Sequence, residues 1–202
     1  MVARLKNGGG LLMDCLIALG GTKGFGVPGE SYLAVLDAMY DRKDKFDLML
    51  CRNEGGAAYM AEAWGKLTGT PGLCFVTRGP GATNASIGVH TAMQNSTPMI
   101  VFVGQVGVDM KGREAFQDIE YSHYFGKVAK WVVEIDDANR IPEIMSRAWT
   151  TALSGRLGPV GVALPEDMLT APVSAKACSP VNIPAPDISA NQIDQLLSLI
   201  HS

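Results

Sequence analysis

Six short and almost wholly apolar segments, at 24–27, 46–51, 73–77, 99–104, 131–135 and 160–164, constrain this chain more than any other feature. Between them lie stretches with helical period. Leu12, Cys15, Leu16 and Leu19 share one helical face and end at Gly20-Gly21, a natural stop. A helix over 31–40 has Leu33, Leu36 and Tyr40 in register, and Asn53 is placed to cap a helix running to about residue 68. Gly79-Pro80-Gly81 reads as a sharp turn before a helix over 82–94, and a last core helix covers 141–154. The segments lack the polar/apolar alternation of a sheet with one wet face. Strands that are apolar on both sides belong in a sheet covered on both faces. The expected fold is therefore α/β: a six-stranded parallel sheet with helices on both faces, in three α/β/α layers.

This pattern fills residues 1–170 and defines one domain. Residues 171–188 hold Pro172, Pro180, Pro184 and Pro186 and read as a proline-rich linker. Ser189 can then cap a helix over 189–202 with Ile193, Leu196, Leu197 and Ile200 on one stripe, as the first helix of a further, central domain.

Composition removes several classes of function. At 47% hydrophobic residues the chain can bury a sizeable core. The net charge is −3 and no Lys/Arg run occurs, so there is no footprint for nucleic acid or an anionic membrane. No segment reaches the ~20 apolar residues of a membrane span. Arg4 and Lys6 before the apolar run at 11–19 imitate a secretion signal, but Asp14 interrupts the run and no small-x-small site follows. Cys15, Cys51, Cys74 and Cys178 have no Cys-x-x-Cys spacing, and three histidines are too few for an evident zinc site. A reducing, cytoplasmic setting is expected.

Ligands of such sheets bind beyond the carboxyl ends of the strands. The loops there are Val27-Pro28-Gly29, Arg52-Asn53-Glu54-Gly55-Gly56, the stretch from Thr77 to Asn84, and Gly104-Gln105-Val106. Glu54 opens a helix, where a carboxylate is favoured by the macrodipole, and taken alone it reads as a first-turn acid and no more. Its neighbours Gly55, Gly56, Ala57 and Ala58 carry almost no side chain, however, so another molecule can come close. A carboxyl in such surroundings can share a proton with a weakly basic nitrogen. Gly79-Pro80-Gly81-Ala82-Thr83-Asn84 reads either as a strand-to-helix turn or as a phosphate cradle, but it lacks the Walker Lys-Ser/Thr and any G-x-G-x-x-G. Arg78, at a strand end, suits either an anion or a salt bridge. His90 reads as a packing or surface histidine, and 112–117 as a surface loop carrying Phe116 and Gln117.

Taken together, seven pieces resemble the pyrimidine-binding (PYR) domain of thiamine diphosphate-dependent enzymes of the acetolactate synthase-like family. They are Gly26-Val27-Pro28-Gly29, Arg52 to Ala58, Thr68-Gly69-Thr70-Pro71-Gly72, Gly79 to Asn84, Ala115-Phe116-Gln117-Asp118, Ala129-Lys130-Trp131 and Gly155 to Val160, covering about residues 10–170. Each is weak alone; seven in order are specific. The resemblance implies that Glu54 is the catalytic glutamate, hydrogen-bonding N1′ of the cofactor's aminopyrimidine so that the 4′-nitrogen can remove the thiazolium C2 proton. Pro28, Gly29, Pro80 and Asn84 match cofactor-binding positions near the pyrimidine, and Phe116 and Gln117 match positions on the substrate side. It departs from the family in having Asp118 where Glu is usual and Val27 where an aromatic residue is common. The adjacent His-His pair of pyruvate-decarboxylase-type relatives is also absent.

What the resemblance implies about function is a 2-oxo acid carboligase or decarboxylase, with Gln117 favouring carboligation. It further implies a small-molecule 2-oxo acid substrate and a homodimer or homotetramer with the active site at the subunit interface. Mg²⁺ and the cofactor diphosphate would be held by a missing C-terminal domain through a Gly-Asp-Gly…Asn motif that this sequence lacks. The chain alone would then be inactive, a fragment of a longer enzyme. FAD is compatible with the family but nothing here indicates it. The alternatives are another thiamine diphosphate-dependent decarboxylase or lyase, acyl-CoA types included, a non-catalytic dimerisation module with the same fold, and an unrelated nucleotide-binding domain.

Overall fold

The computed structural model describes residues 6–184 and 187–201. Six strands form one all-parallel sheet: β1 (Lys23–Gly26), β2 (Asp47–Leu50), β3 (Gly72–Val76), β4 (Met99–Gln105), β5 (Trp131–Glu134) and β6 (Pro159–Pro165), in the order β2-β1-β3-β4-β6-β5. Helices α1 (Gly8–Ala18), α2 (Leu33–Tyr40), α6 (Ile141–Leu153) and α7 (Glu166–Thr170) pack on one face. On the other lie α3 (Glu54–Thr68), α4 (Gly79–Asn95) and α5 (Tyr121–Phe125), and α8 (Ala190–Ile200) follows near the end of the chain. The three-layer α/β/α expectation is borne out.

Strand periodicity divides the core in two. Leu73, Phe75, Ile100, Phe102, Val160 and Val162 point to the α1/α6 side, and Cys74, Val76, Met99, Val101, Val103 and Ala163 to the α3/α4 side. Central strands therefore bury every residue, which is why they read as unbroken apolar runs. The edge strand β2 is different: it is mostly exposed, and its first residue, Asp47, is paired with Lys23 of β1.

Two local expectations need correction. Helix α2 buries Val35, Ala38 and Met39, with Tyr32 just before it, whereas Leu33 and Tyr40 stand 62% and 71% exposed. The segment is apolar enough to offer two stripes, and packing against α1 selected the other one. Gly79-Pro80-Gly81 is also not a turn before α4 but its first turn. Proline fits there because the first helical amides have no intrahelical partner.

The stretch after α7 lies along the α1 side of the core. Val173, Ala175, Cys178 and Val181 are partly buried against it, and Asn139 Oδ1 accepts from the amides of Ser174 and Ala175 at 3.0 and 3.1 Å. Helix α8 begins with a capping box between Ser189 and Gln192 and buries none of its residues.

Candidate functional site

In this strand order the chain leaves β1 for β2 on one side and returns to β3 on the other. The sheet therefore has its topological switch point between β1 and β3, and in open α/β sheets the ligand crevice lies at that point, beyond the carboxyl ends. The loops after these two strands meet there. Ser31 and Thr77 share a hydroxyl hydrogen bond of 2.9 Å, and the Tyr32 hydroxyl donates to the Val27 carbonyl at 2.5 Å. Gly29 sits so close to Thr77 that a Cβ on it would come within 2.6 Å of the threonine Cβ, so only glycine lets the two loops touch.

Glu54 reaches this crevice from the side. Asn53 has extended backbone and its side chain accepts from the Gly55 amide at 2.8 Å, which fixes the start of α3 and makes Glu54 its first residue. The half-buried carboxylate is then held by a second helix: Asn84 Nδ2 of α4 donates to Glu54 Oε2 at 2.9 Å. The other oxygen, Oε1, faces Gly81, where a Cβ would stand 3.6 Å away.

The spacing of α3 and α4 brings these groups together. Gly55 lies under the Asn84 carbonyl, and one turn along both helices Gly88 packs directly on Ala58, where a Cβ would be 2.5 Å from the alanine Cβ. Small residues at both levels let the backbones approach, so Glu54 and Asn84, 30 positions apart, are hydrogen-bonded. Beyond Glu54, Gly56 faces open space, with nothing within 4 Å of an added Cβ.

The other anticipated residues are distributed around this centre. Pro28 and Gly29 follow β1, and Pro80 is exposed in the first turn of α4. Gln117 approaches through its backbone, its carbonyl accepting from the Gly79 amide at 3.0 Å. Its φ of +67° is in the left-handed region, a conformation that costs a non-glycine residue about 1 kcal/mol or more and needs support from its surroundings. Phe116 is 75% exposed. Arg78 is buried and pairs with Glu166 at 2.9 Å and Glu30 at 3.5 Å, so it is a salt-bridge residue.

Sequence reasoning missed Tyr32, and although it placed Thr77 and Gln105 in carboxyl-end loops it gave neither a role. Gln105 is fully buried at the end of β4, and its Nε2 donates to Asp118 Oδ1 and to the Ile119 carbonyl, each at 3.0 Å. The available signal was a lone amide ending an otherwise apolar strand, because a buried amide has to find partners.

The Tyr32 hydroxyl and the Cys74 thiol both lie near Glu54, and burial, more than that carboxylate, pushes their pKa values up. Both stay neutral at physiological pH. Among the described residues no group of His, Cys, Asp and Glu is arranged to hold a metal ion. No described helix is long and apolar enough to cross a membrane.

Comparison with known proteins adds an independent line. Residues 6–124 match the family model described as thiamine pyrophosphate enzyme, N-terminal TPP binding domain. The chain is 35% identical over 181 residues to an acetolactate synthase of Bacillus subtilis (strain 168), an alignment covering 89% of this chain and 31% of that protein. It is 37% identical over 165 residues to the acetolactate synthase isozyme 3 large subunit of Escherichia coli (strain K12), covering 82% and 29%. It is 36% identical over 196 residues to the mitochondrial acetolactate synthase catalytic subunit of Aspergillus candidus, covering 97% and 28%. The chain thus spans under a third of the length of these relatives.

Proposed function

Because the chain belongs to the thiamine pyrophosphate enzyme family, whose N-terminal TPP binding domain it contains, we propose that it binds the pyrimidine end of thiamine diphosphate and that Glu54 activates that ring. One observation carries the reading: a carboxylate with one oxygen tied to Asn84 and the other directed at Gly81, at the switch-point crevice. The residues fit the group. A flat heteroaromatic ring needs small walls, which Gly56 and Gly81 can supply, apolar edges, which Pro28 and Pro80 can supply, and one proton-sharing partner for a ring nitrogen.

When bound, the cofactor supplies an acidic carbon–hydrogen bond and an electron sink for a 2-oxo acid that loses carbon dioxide. The part assigned to the chain is narrower. Glu54 Oε1 would share a proton with a ring nitrogen of the bound pyrimidine, and Asn84 keeps the carboxylate from turning away. Tyr32 and Thr77 fix the loop that carries Pro28 and Gly29. Phe116 and Gln117 are assigned to the substrate side, Gln117 being already drawn to the start of α4 by its carbonyl. The diphosphate and Mg²⁺ are assigned to protein outside these residues, so the chain alone is expected to be inactive.

By kinship with the acetolactate synthases, the whole enzyme is proposed to join or decarboxylate 2-oxo acids as a homo-oligomer with its active site between subunits. A cytoplasmic setting is part of the same proposal. The domain division is proposed as 1–170, 171–188 and 189–202, with the apolar stripe of α8 meant for a following domain.

The test is exchange of the cofactor C2 proton in the full-length protein, followed by NMR. Glu54→Gln, which keeps shape and fold but cannot share the proton, should slow exchange by ~10²-fold or more, the usual worth of a positioned acid or base. Unchanged exchange in a folded variant refutes the assignment. A wild-type protein that binds the cofactor without accelerating exchange points to the non-catalytic module instead.

A further inference from the structure

The left-handed backbone of Gln117 has a visible support. Gln105 Nε2 donates to Asp118 Oδ1 and to the Ile119 carbonyl, while its own Oε1 accepts from the Val106 amide at 3.0 Å. All three hydrogen-bonding positions used by this buried amide are thereby directed at the end of its own strand and at the loop before α5. Asp118 divides its two oxygens: Oδ1 takes the Gln105 bond and Oδ2 faces the Gly112 amide at 3.4 Å, closing the loop on itself. The Asp118 amide donates back to the Ala115 carbonyl at 3.0 Å, and the Gln117 carbonyl caps the Gly79 amide of α4. A single side chain of β4 thus fixes the residue next to Gln117, in a loop whose tip, Phe116, is in solvent.

We propose that Gln105 and Asp118 form a latch that positions the Phe116-Gln117 loop against the start of α4, and that its length sets which 2-oxo acid side chains the enzyme accepts. This deepens the proposed function and rests on it. Gln105 is fully buried and out of reach of a substrate, so it is a positioning residue. The latch is specific to donor and acceptor: Nε2 can only donate and a carboxylate oxygen can only accept. It is also specific to length, because Gln105 is held at its other end by the Val106 amide and cannot retreat. One more methylene at position 118 must therefore move the loop by about 1 Å, a bond length projected along an extended side chain. Loop displacements of that size matter where substrate fit is decided, one methylene being worth ~10–200-fold in discrimination.

Three variants of the full-length protein test this: Gln105→Glu, which turns the donor into an acceptor facing Asp118; Asp118→Glu, which keeps the acceptor and lengthens it; and the double variant Gln105→Glu with Asp118→Asn, which restores the bond with its polarity reversed. The first readout is hydrogen exchange without substrate. Gln105→Glu should lose protection at the Gly79 and Asp118 amides while the Val106 amide, whose acceptor survives, stays protected. A general loss of structure would expose all three. The second readout is kcat/KM for a straight three-carbon and a branched five-carbon 2-oxo acid. Gln105→Glu and Asp118→Glu should each change the ratio of the two by ~10-fold or more, and the double variant, which restores the 105–118 bond but not the donor to the Ile119 carbonyl, should recover part of the Gln105→Glu change.

An unchanged ratio in Asp118→Glu, whose fold the substitution threatens least, overturns the inference while the proposed function stands. Equal exchange at all three amides in wild type and Gln105→Glu does the same. A wild-type enzyme that binds thiamine diphosphate yet turns over no 2-oxo acid overturns the proposed function, and the inference falls with it.

Discussion

Replacing Gly88 by alanine tests whether the close crossing of α3 and α4 is what places Glu54. A Cβ at 88 would lie 2.5 Å from the Ala58 Cβ, 2.8 Å from the Ala58 carbonyl carbon and 3.0 Å from the Tyr59 nitrogen. Carbon–carbon contacts relax to about 3.5–4.0 Å, so the helices must part locally by about 1 Å or more. Two of the three contacts are backbone, and no rotamer change can relieve them. Overpacking of this kind costs ~1–3 kcal/mol, here toward the upper end. Alanine in place of a mid-helix glycine returns ~1 kcal/mol of propensity, leaving a net loss of ~2 kcal/mol, or a Tm lower by ~4–8 °C for a chain of this size.

Gly56→Ala is the matched control. It also sits in a helix, but its Cβ would meet nothing within 4 Å, so the propensity gain should appear undiminished as a Tm higher by ~2–4 °C. Gly88→Ala should in addition lengthen the 2.9 Å Asn84–Glu54 bond, one turn away, beyond hydrogen-bonding range. Thermal melts of the two variants side by side, with a crystal structure of Gly88→Ala, decide the matter. If both variants melt above wild type, the crossing is not tight and Glu54 is held by something else.

Three more outcomes follow from the structure. Asn53→Ala removes the cap of α3 and should cost ~1 kcal/mol in a denaturant titration, while Asn53→Asp, which still accepts from the Gly55 amide, should be near neutral; equal losses would show that the cap contributes nothing. Burial pushes the Cys15 thiol up to about 12 and raises Cys74, Tyr32 and Tyr121 as well. The unfolded chain therefore loses these protons first, thiols from pH ~8.5 and phenols from ~10, and stability should fall as pH rises, by at most ~1.4 kcal/mol per pH unit per group. Cys74→Ala should flatten that slope between pH 9 and 11, and an identical slope would contradict the assignment. In the native protein at neutral pH a small thiol reagent should modify Cys51 and Cys178 quickly and leave Cys15 and Cys74 until unfolding; four fast thiols would contradict their burial.

The parts legible in the sequence were those that depend on near neighbours. Asn53 could be named as a helix cap because capping acts over two or three residues, and the structure places its side chain on the Gly55 amide. The apolar runs at 73–77, 99–104 and 160–164 announced central strands because covering both sheet faces removes every polar residue from them. Helix α2 was harder to read: its composition offered two apolar stripes, and only packing against α1 could choose between them. Gln105 was legible only as part of a carboxyl-end loop, because the partner that gives it a role lies 13 positions away and across a loop.

Taken alone, then, the sequence determined the alternating α/β layers, the carboxyl-end loops and the presence of Glu54 among small residues. Local propensity and the period of apolar residues suffice for these. The tertiary structure alone decided the strand order β2-β1-β3-β4-β6-β5, and with it the crevice between β1 and β3. It also decided that Asn84 would hold Glu54 and Gln105 would hold Asp118. These pairings depend on how closely α3 and α4 cross and where a loop returns to a strand end. Such distances are set by the packing of residues far apart in the chain, which no local pattern encodes.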